Sequence, residues 1–412
     1  MGGFTAGQLR HGTFRGAVLQ KPRAPRLSAA VRSVKAQQVL NVLQYPSCDP
    51  PGTREGGSQG RKVGPTTRDA ILCSKLKGHQ AAVTAALITS DTAGRKEIIT
   101  GSLDKTMKLW RLQGCSDDRE ESATSCSTSA VEEVVTLTPS GAPIFSLAVD
   151  GAAPSGVSPD ERQQVFCGNA SKSISVWEPP SGQMQDKVIL NGHTGWVRAL
   201  AAEGRWLFSA GCNIMRQWDL TRAVPRHVRD VKLVKGDILG IATRRGFVYT
   251  CGADGSIRSW AIDKKGNLEE CRAREKAHGD RVTALLAHNG FLYSVSYDGS
   301  IKMWDAESME LVMEERNAHN GGRINCATVG PDGNLYTGGD DKLVRRWRLG
   351  SLNPAPSNAL FCHNYSVRAL AAGSTETLIS ASQLVGAQVG SPSRQLHAQA
   401  PRVAAPPFGG RS

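Results

Sequence analysis

An all-β ring of repeated four-stranded antiparallel sheets is the fold this sequence predicts, and three observations predict it. Six tryptophans, Trp110, Trp177, Trp218, Trp260, Trp304 and Trp347, recur at spacings of 67, 41, 42, 44 and 43 residues, and a period of about 40–45 residues fits four short strands with their turns. Each tryptophan closes the same hairpin pattern, and most hairpins are preceded by a histidine and an apolar strand. One small sheet cannot cover both its faces, whereas a ring covers them all and leaves only short outer edges. The expected architecture is therefore a seven-bladed β-propeller of four-stranded antiparallel blades, its last blade degenerate and its two terminal extensions disordered.

Taken in order, residues 1–44 contain no acidic residue, while Arg10, Arg15, Lys21, Arg23, Arg26, Arg32 and Lys35 are spread among Ser, Ala and Gly. That is the composition of an organelle transit peptide, and "SAAVRSVKAQ" resembles the ends of plastid ones. A chloroplast destination is the expectation, with a plain basic arm of a cytoplasmic or nuclear protein as the alternative. Residues 45–69, with Pro46, Pro50 and Pro51 among glycines, read as a linker.

The propeller is expected over 70–391. Its hairpins read "IITGSLDKTMKLW", "VFCGNASKSISVW", "LFSAGCNIMRQW", "VYTCGADGSIRSW", "LYSVSYDGSIKMW" and "LYTGGDDKLVRRW". In each, an alternating strand meets a turn rich in Asp, Gly and Asn, and a second alternating strand ends on Trp. His79, His193, His278 and His319 precede four of them, and His363 starts a seventh unit with "NYSVRALAAG". That unit has no tryptophan; 383–391 is the candidate degenerate third strand, with 70–78 as the outer strand that locks the ring. Residues 392–412 read as a disordered tail. An acidic, serine-rich insertion is expected at 113–137, carrying Asp117, Asp118, Glu120, Glu121, Glu132 and Glu133 against Arg119. It reads as a tolerated loop, or as one that binds a partner or takes phosphate.

The pairs Gly78-His79, Gly192-His193, Trp218-Asp219 and Trp304-Asp305 give the chain its resemblance to the WD-repeat family, over about residues 71–383. The resemblance implies a hydrogen-bonded tetrad in each blade, complete in His79, Ser102, Asp104 and Trp110 and again in His278, Ser296, Asp298 and Trp304. It implies erosion elsewhere: Gly339 replaces the hydroxyl in the sixth blade, and the fourth lacks the His and has Gly252. The third has Asn213 in a shortened turn, and the second has Asn169 and Ser171. Blades two and four are accordingly expected to open first. The resemblance also places contact positions just before each inner strand, at Ala82, Pro143, Trp196, Asp237, Arg281, Arg323 and Ser366, and beside the turn, at Leu103, Ala253 and Tyr297. Of these, Trp196, Asp237, Arg281, Tyr297 and Arg323 form the candidate partner site, since Trp, Tyr and Arg dominate interface energies.

The functional expectation is a non-catalytic protein–protein scaffold, with no cofactor, no metal, no small-molecule substrate and no membrane span. No run of about 18 apolar residues occurs, the ten cysteines form no CxxC pair, and no nucleophile elbow, phosphate loop or His-Glu-x-x-His motif is found. The formal charge of +13 is concentrated at the ends, leaving 36 basic and 34 acidic residues over 71–383. A folded region so nearly neutral attracts phosphate backbones weakly, which leaves an RNA-associated propeller, supported by Arg222, Arg226, Arg229, Lys232 and Lys235, as the alternative. A ubiquitin-ligase receptor motif is not met, because "WDLTR" puts Arg222 one residue late.

Overall fold

The computed structural model describes residues 39–44, 71–90, 96–112, 131–150, 164–177, 188–222, 224–233, 236–330, 332–373 and 377–382. They form four-stranded antiparallel sheets and nothing else of substance. Six sheets are blades of four strands consecutive in sequence, spanning 83–137, 144–190, 197–232, 238–274, 282–315 and 324–362, here blades 1 to 6. The innermost strands of the blades are Val83–Ser90, Ile144–Val149, Val197–Glu203, Ile238–Arg244, Val282–His288 and Ile324–Val329.

A further four-stranded sheet is assembled from both ends of the chain, in the order Ile71–Lys77, Val39–Gln44, Thr377–Ser382, Val367–Ala372. Val367–Ala372 packs against the inner strands of both blade 6 and blade 1, so the inner strands form one closed circuit. The third strand of this closing sheet is thus Val39–Gln44 and not 383–391, a segment that lies outside the described residues. Val39, Leu40, Val42 and Leu43 carry the apolar content a strand needs, and their pairing partner lies more than 330 residues away, at 377–381. The basic extension therefore ends before Val39. The acidic insertion also shortens: Val131–Leu137 is the outer strand of blade 1, and 113–130, like 1–38 and 392–412, lies outside the described residues.

Apolar residues fill seven layers, one between each pair of neighbouring sheets. Each tryptophan is buried in the layer facing the preceding sheet: Trp110 packs with Leu76 and Ala381, Trp177 with Ile99 and Met107, Trp347 with Tyr293 and Met303. Burying an aromatic of this size contributes about 2–3 kcal/mol. The hairpin strand beside the next blade needs small residues, because a Cβ on Gly101 would lie 2.5 Å from Ile144 Cγ2. The outer two strands of several blades are clamped by a cation two residues before the tryptophan: Lys108 to Glu133, Arg216 to Asp230 at 3.0 Å, Arg258 to Glu270 at 3.1 Å and Lys302 to Glu314 at 3.2 Å.

Candidate partner-binding site at the channel mouth

The hairpin turns are built around their aspartates. Asp104, Asp254, Asp298 and Asp341 each accept a backbone N–H two residues on, at 2.9–3.1 Å, the local bond that makes Asp a turn residue. The residue after each of them takes a positive φ: Lys105 at 72°, Gly255 at 75°, Gly299 at 80° and Lys342 at 69°.

The tetrad hydroxyl sits two residues earlier than the resemblance implied. His79 Nδ1 meets Asp104 at 3.0 Å and His79 Nε2 meets Thr100 Oγ1 at 2.8 Å, which accepts Trp110 Nε1–H at 2.9 Å. His278 does the same with Asp298 at 3.2 Å and Ser294 at 2.7 Å, and Trp304 donates to Ser294 at 2.8 Å. Ser102 and Ser296 instead donate to the carbonyls of Ala81 and Asp280 and accept from the turn aspartate's N–H. Strand alternation puts Thr100 and Ser102 on one face, but only the former stands opposite the indole.

With the register corrected, blade 6 is complete: His319 joins Asp341 and Thr337 at 2.7 Å each, and Trp347 donates to Thr337 at 2.8 Å. Gly339 is not the hydroxyl position. Blade 3 keeps His193–Ser209–Trp218 without an acid, blade 4 keeps only Trp260 to Thr250 at 3.2 Å, and the closing sheet keeps His363 to Ser380 at 2.8 Å. In blade 2 Cys167 stands at the hydroxyl position, and Trp177 Nε1, Asn169 Nδ2 and Ser175 Oγ are buried without hydrogen-bond partners.

These networks set the local acidity. Burial raises the Asp104 carboxyl, but the bonds from His79, Thr106 and the Gln80 N–H outweigh it and hold the group well below the usual carboxylate range. Asp298 follows the same balance through His278, Ser300 and Gly279. Burial, with the Arg216 charge adding to it, lowers His193 to about 4, and burial alone lowers His363 to about 4.

The turns and the inner-strand entries share one rim. The N–H of Leu103, Ala170, Ala253, Tyr297 and Asp340 donates to the carbonyl of Ala82, Pro143, Asp237, Arg281 and Arg323 respectively, at 2.8–3.1 Å. The two sets of contact positions read from the sequence are therefore backbone-bonded neighbours.

Every inner strand then carries a bulge one residue further in, at 83/85, 144/146, 197/199, 238/240, 282/284, 324/326 and 367/369. A bulge re-aims a side chain. Here it marks Thr84, Phe145, Arg198, Thr283, Asn325 and Arg368, all of which line a central cavity of about 250 Å³. Thr84 and Thr283 donate onward to the carbonyls of Ile144 (2.5 Å) and Ile324 (2.8 Å), and Asn325 donates to that of Val367 (3.0 Å), stapling each sheet to the next.

Two clusters flank this mouth. On blades 5 and 6 the Tyr297 ring carries the Arg281 guanidinium at 5.4 Å and that of Arg323 at 5.2 Å, while Arg368 of the closing sheet donates to its hydroxyl at 3.3 Å and to Asn325 Oδ1 at 3.0 Å. On blades 2 and 3 Trp196, 48% exposed, stacks on Phe145 at 5.3 Å, and Arg198 lies over both rings at 4.9 and 5.4 Å. Asp237 is exposed at the equivalent place in blade 4 and makes no ion pair with these arginines among the described residues. The sequence did not single out Phe145, Arg198 and Arg368; the signal was their place directly after the first buried residue of each inner strand. Ala82, Pro143, Ser366, Leu103 and Ala253 add no charge to the rim.

No cluster of three potential metal ligands occurs among the described residues, and no helix there is long and apolar enough to cross a membrane. The buried thiols Cys251 and Cys326 are pushed up by burial, the latter to about 12.

The model of the WD domain, G-beta repeat, matches residues 71–111, 184–219, 269–305 and 312–348. Human (Homo sapiens) kinesin-like protein KIF21B is 22% identical over 237 residues, 57% of this chain and 13% of that protein, so the chain spans a small fraction of that relative's length. Among solved structures, the WD40 beta propeller domain of Doa1 superposes with a TM-score of 0.57 at 19% identity, covering 76% of this chain and 93% of that one. The computationally designed Ika8 protein gives 0.52 at 20% identity, covering 74% and 82%. At these identities the structural likeness is one of fold.

Proposed function

This chain is a WD-repeat propeller protein, and we propose that it works as a seven-bladed, non-catalytic scaffold that binds a protein partner across the mouth of its channel. The observation that carries this reading is the pair of arginine–aromatic clusters around one cavity, since exposed Trp, Tyr and Arg supply most interface energy and the rest of each blade is committed to packing. The histidines do not compete for a catalytic role: His79, His278 and His319 are fully engaged in the tetrads. RNA binding is the weaker alternative, because the lateral arginines are partly spent, Arg216 on Asp230 and Arg229 on Asn267.

The test is affinity recovery from the native cell with tagged wild-type protein and a Trp196→Ala/Arg323→Ala double variant. Proteins recovered with the first and lost with the second support the mouth as the site; unchanged recovery overturns it. Import of the chain into plastids, on the composition of residues 1–44, is part of the same proposal, with any cleavage falling before Val39.

A further inference from the structure

We propose that the mouth accepts an extended acidic segment of the partner, its Asp and Glu carboxylates seated on the guanidinium edges of Arg198 and Arg323. This deepens the scaffold reading and rests on it. Four partly buried arginines of the blade faces are matched by acids: Arg111 by Glu97, Arg216 by Asp230, Arg258 by Glu270, Arg345 by Asp341. At the mouth the matching stops. Among the described residues the guanidinium of neither Arg198 nor Arg323 makes a hydrogen bond or has a carboxylate within 4.0 Å; each lies beside aromatic rings. Arg281 has Asp280 at 3.8 Å, Asp340 is bonded by Asn325 Nδ2 at 2.8 Å, and the exposed Asp237 in blade 4 pairs with neither Arg198 nor Arg323 among the described residues.

A ring beside a guanidinium restricts the side chain without using its N–H donors, and the planar fork of those donors takes a carboxylate with two parallel bonds. Arg198 is also half-buried, and a cation that is partly desolvated without a counter-ion gains most from a supplied one. Arg198 lines the cavity from blade 3 with Thr283, Asn325 and Arg368, and Arg323 stands beside it in blade 6 on the Tyr297 ring whose hydroxyl Arg368 bonds, so a chain crossing the mouth meets both. A nucleic-acid strand fits less well. Its bases need free aromatic faces, and those of Tyr297 and Trp196 already carry Arg281, Arg323, Arg198 and Phe145.

The experiment measures fluorescence anisotropy of the full chain with three labelled probes: an oligopeptide of Asp and Glu, a neutral peptide of the same length, and oligouridylate. The acidic peptide is expected to bind best and to weaken as salt rises. Arg198→Gln and Arg323→Gln are each expected to weaken it about tenfold, with unchanged melting temperatures showing that the ring is intact. Arg198→Lys keeps the charge but loses the fork, and is expected to recover only part of the affinity. Acidic peptide no better than neutral, binding insensitive to both arginines, or preference for oligouridylate would each overturn the inference. Partner recovery that depends on the mouth while the acidic peptide fails would overturn it and leave the scaffold reading standing.

Discussion

Leu43 pairs with Leu378 in the register that Trp110 holds opposite Ile98. The correspondence extends to the outer strand, where the closing sheet shifts register at Val42/Leu43 as blade 1 does at Leu109/Trp110. The closing sheet thus repeats the register of blade 1 with leucine at the tryptophan position, and its two outer strands arrive from the other end of the chain. Removing residues 1–38 should leave thermal stability unchanged. Removing 1–44 strips the strand between Thr377–Ser382 and Ile71–Lys77 and should lower the melting temperature by about 5 °C or more. Equal melts for the two truncations would mean that Val39–Gln44 does not close the ring.

The corrected tetrads separate two hydroxyls that the sequence could not. Thr100→Ala leaves His79 Nε2 and Trp110 Nε1 buried without partners and should cost about 2–4 kcal/mol, whereas Ser102→Ala loses turn bonds at the rim and should cost about 1 kcal/mol. Denaturant melts of the two variants check the order, and the reverse order would return the tetrad to Ser102.

Blade 2 buries its tryptophan indole N–H without a partner, and hydrogen exchange should find 165–177 opening before the corresponding strands of blades 5 and 6. Cys167→Thr sets a hydroxyl where the other blades hold one for the indole and should stabilise the fold by about 1 kcal/mol. Exchange that is uniform around the ring would contradict this.

His193 and His363 titrate near 4 in the fold against an ordinary value of 6.5. Between those values the unfolded chain binds more protons than the folded one, so stability is full above pH 6.5 and falls as the pH drops toward 4. Each histidine contributes about 3 kcal/mol at most. His363→Gln should flatten that slope in melts taken across the window; a slope identical to wild type would place the titration elsewhere.

The hairpins were legible because their signals are local: alternation, a turn aspartate and a tryptophan all lie within 13 residues. Ser102 was mistaken for Thr100 because alternation places both on one face, and only the bond to the Trp110 indole ten residues on separates them. Val39–Gln44 was missed because its partner lies at the far end of the chain and its surroundings are basic and rich in small residues. At the mouth, Trp196, Arg281 and Arg323 follow from counting back from each inner strand, and Tyr297 from its place beside the turn aspartate. Arg198, Arg368 and Phe145 do not, since a bulge is a backbone event that alternation alone does not signal.

The most direct measurement is photo-crosslinking in the native cell, with a photoreactive residue at Tyr297 in one protein and at Leu311, an exposed site on the outer strand of blade 5, in another. One protein captured from position 297 and absent from 311 is the expected result. The same captures from both positions, or a partner taken only from 311, would contradict binding at the mouth.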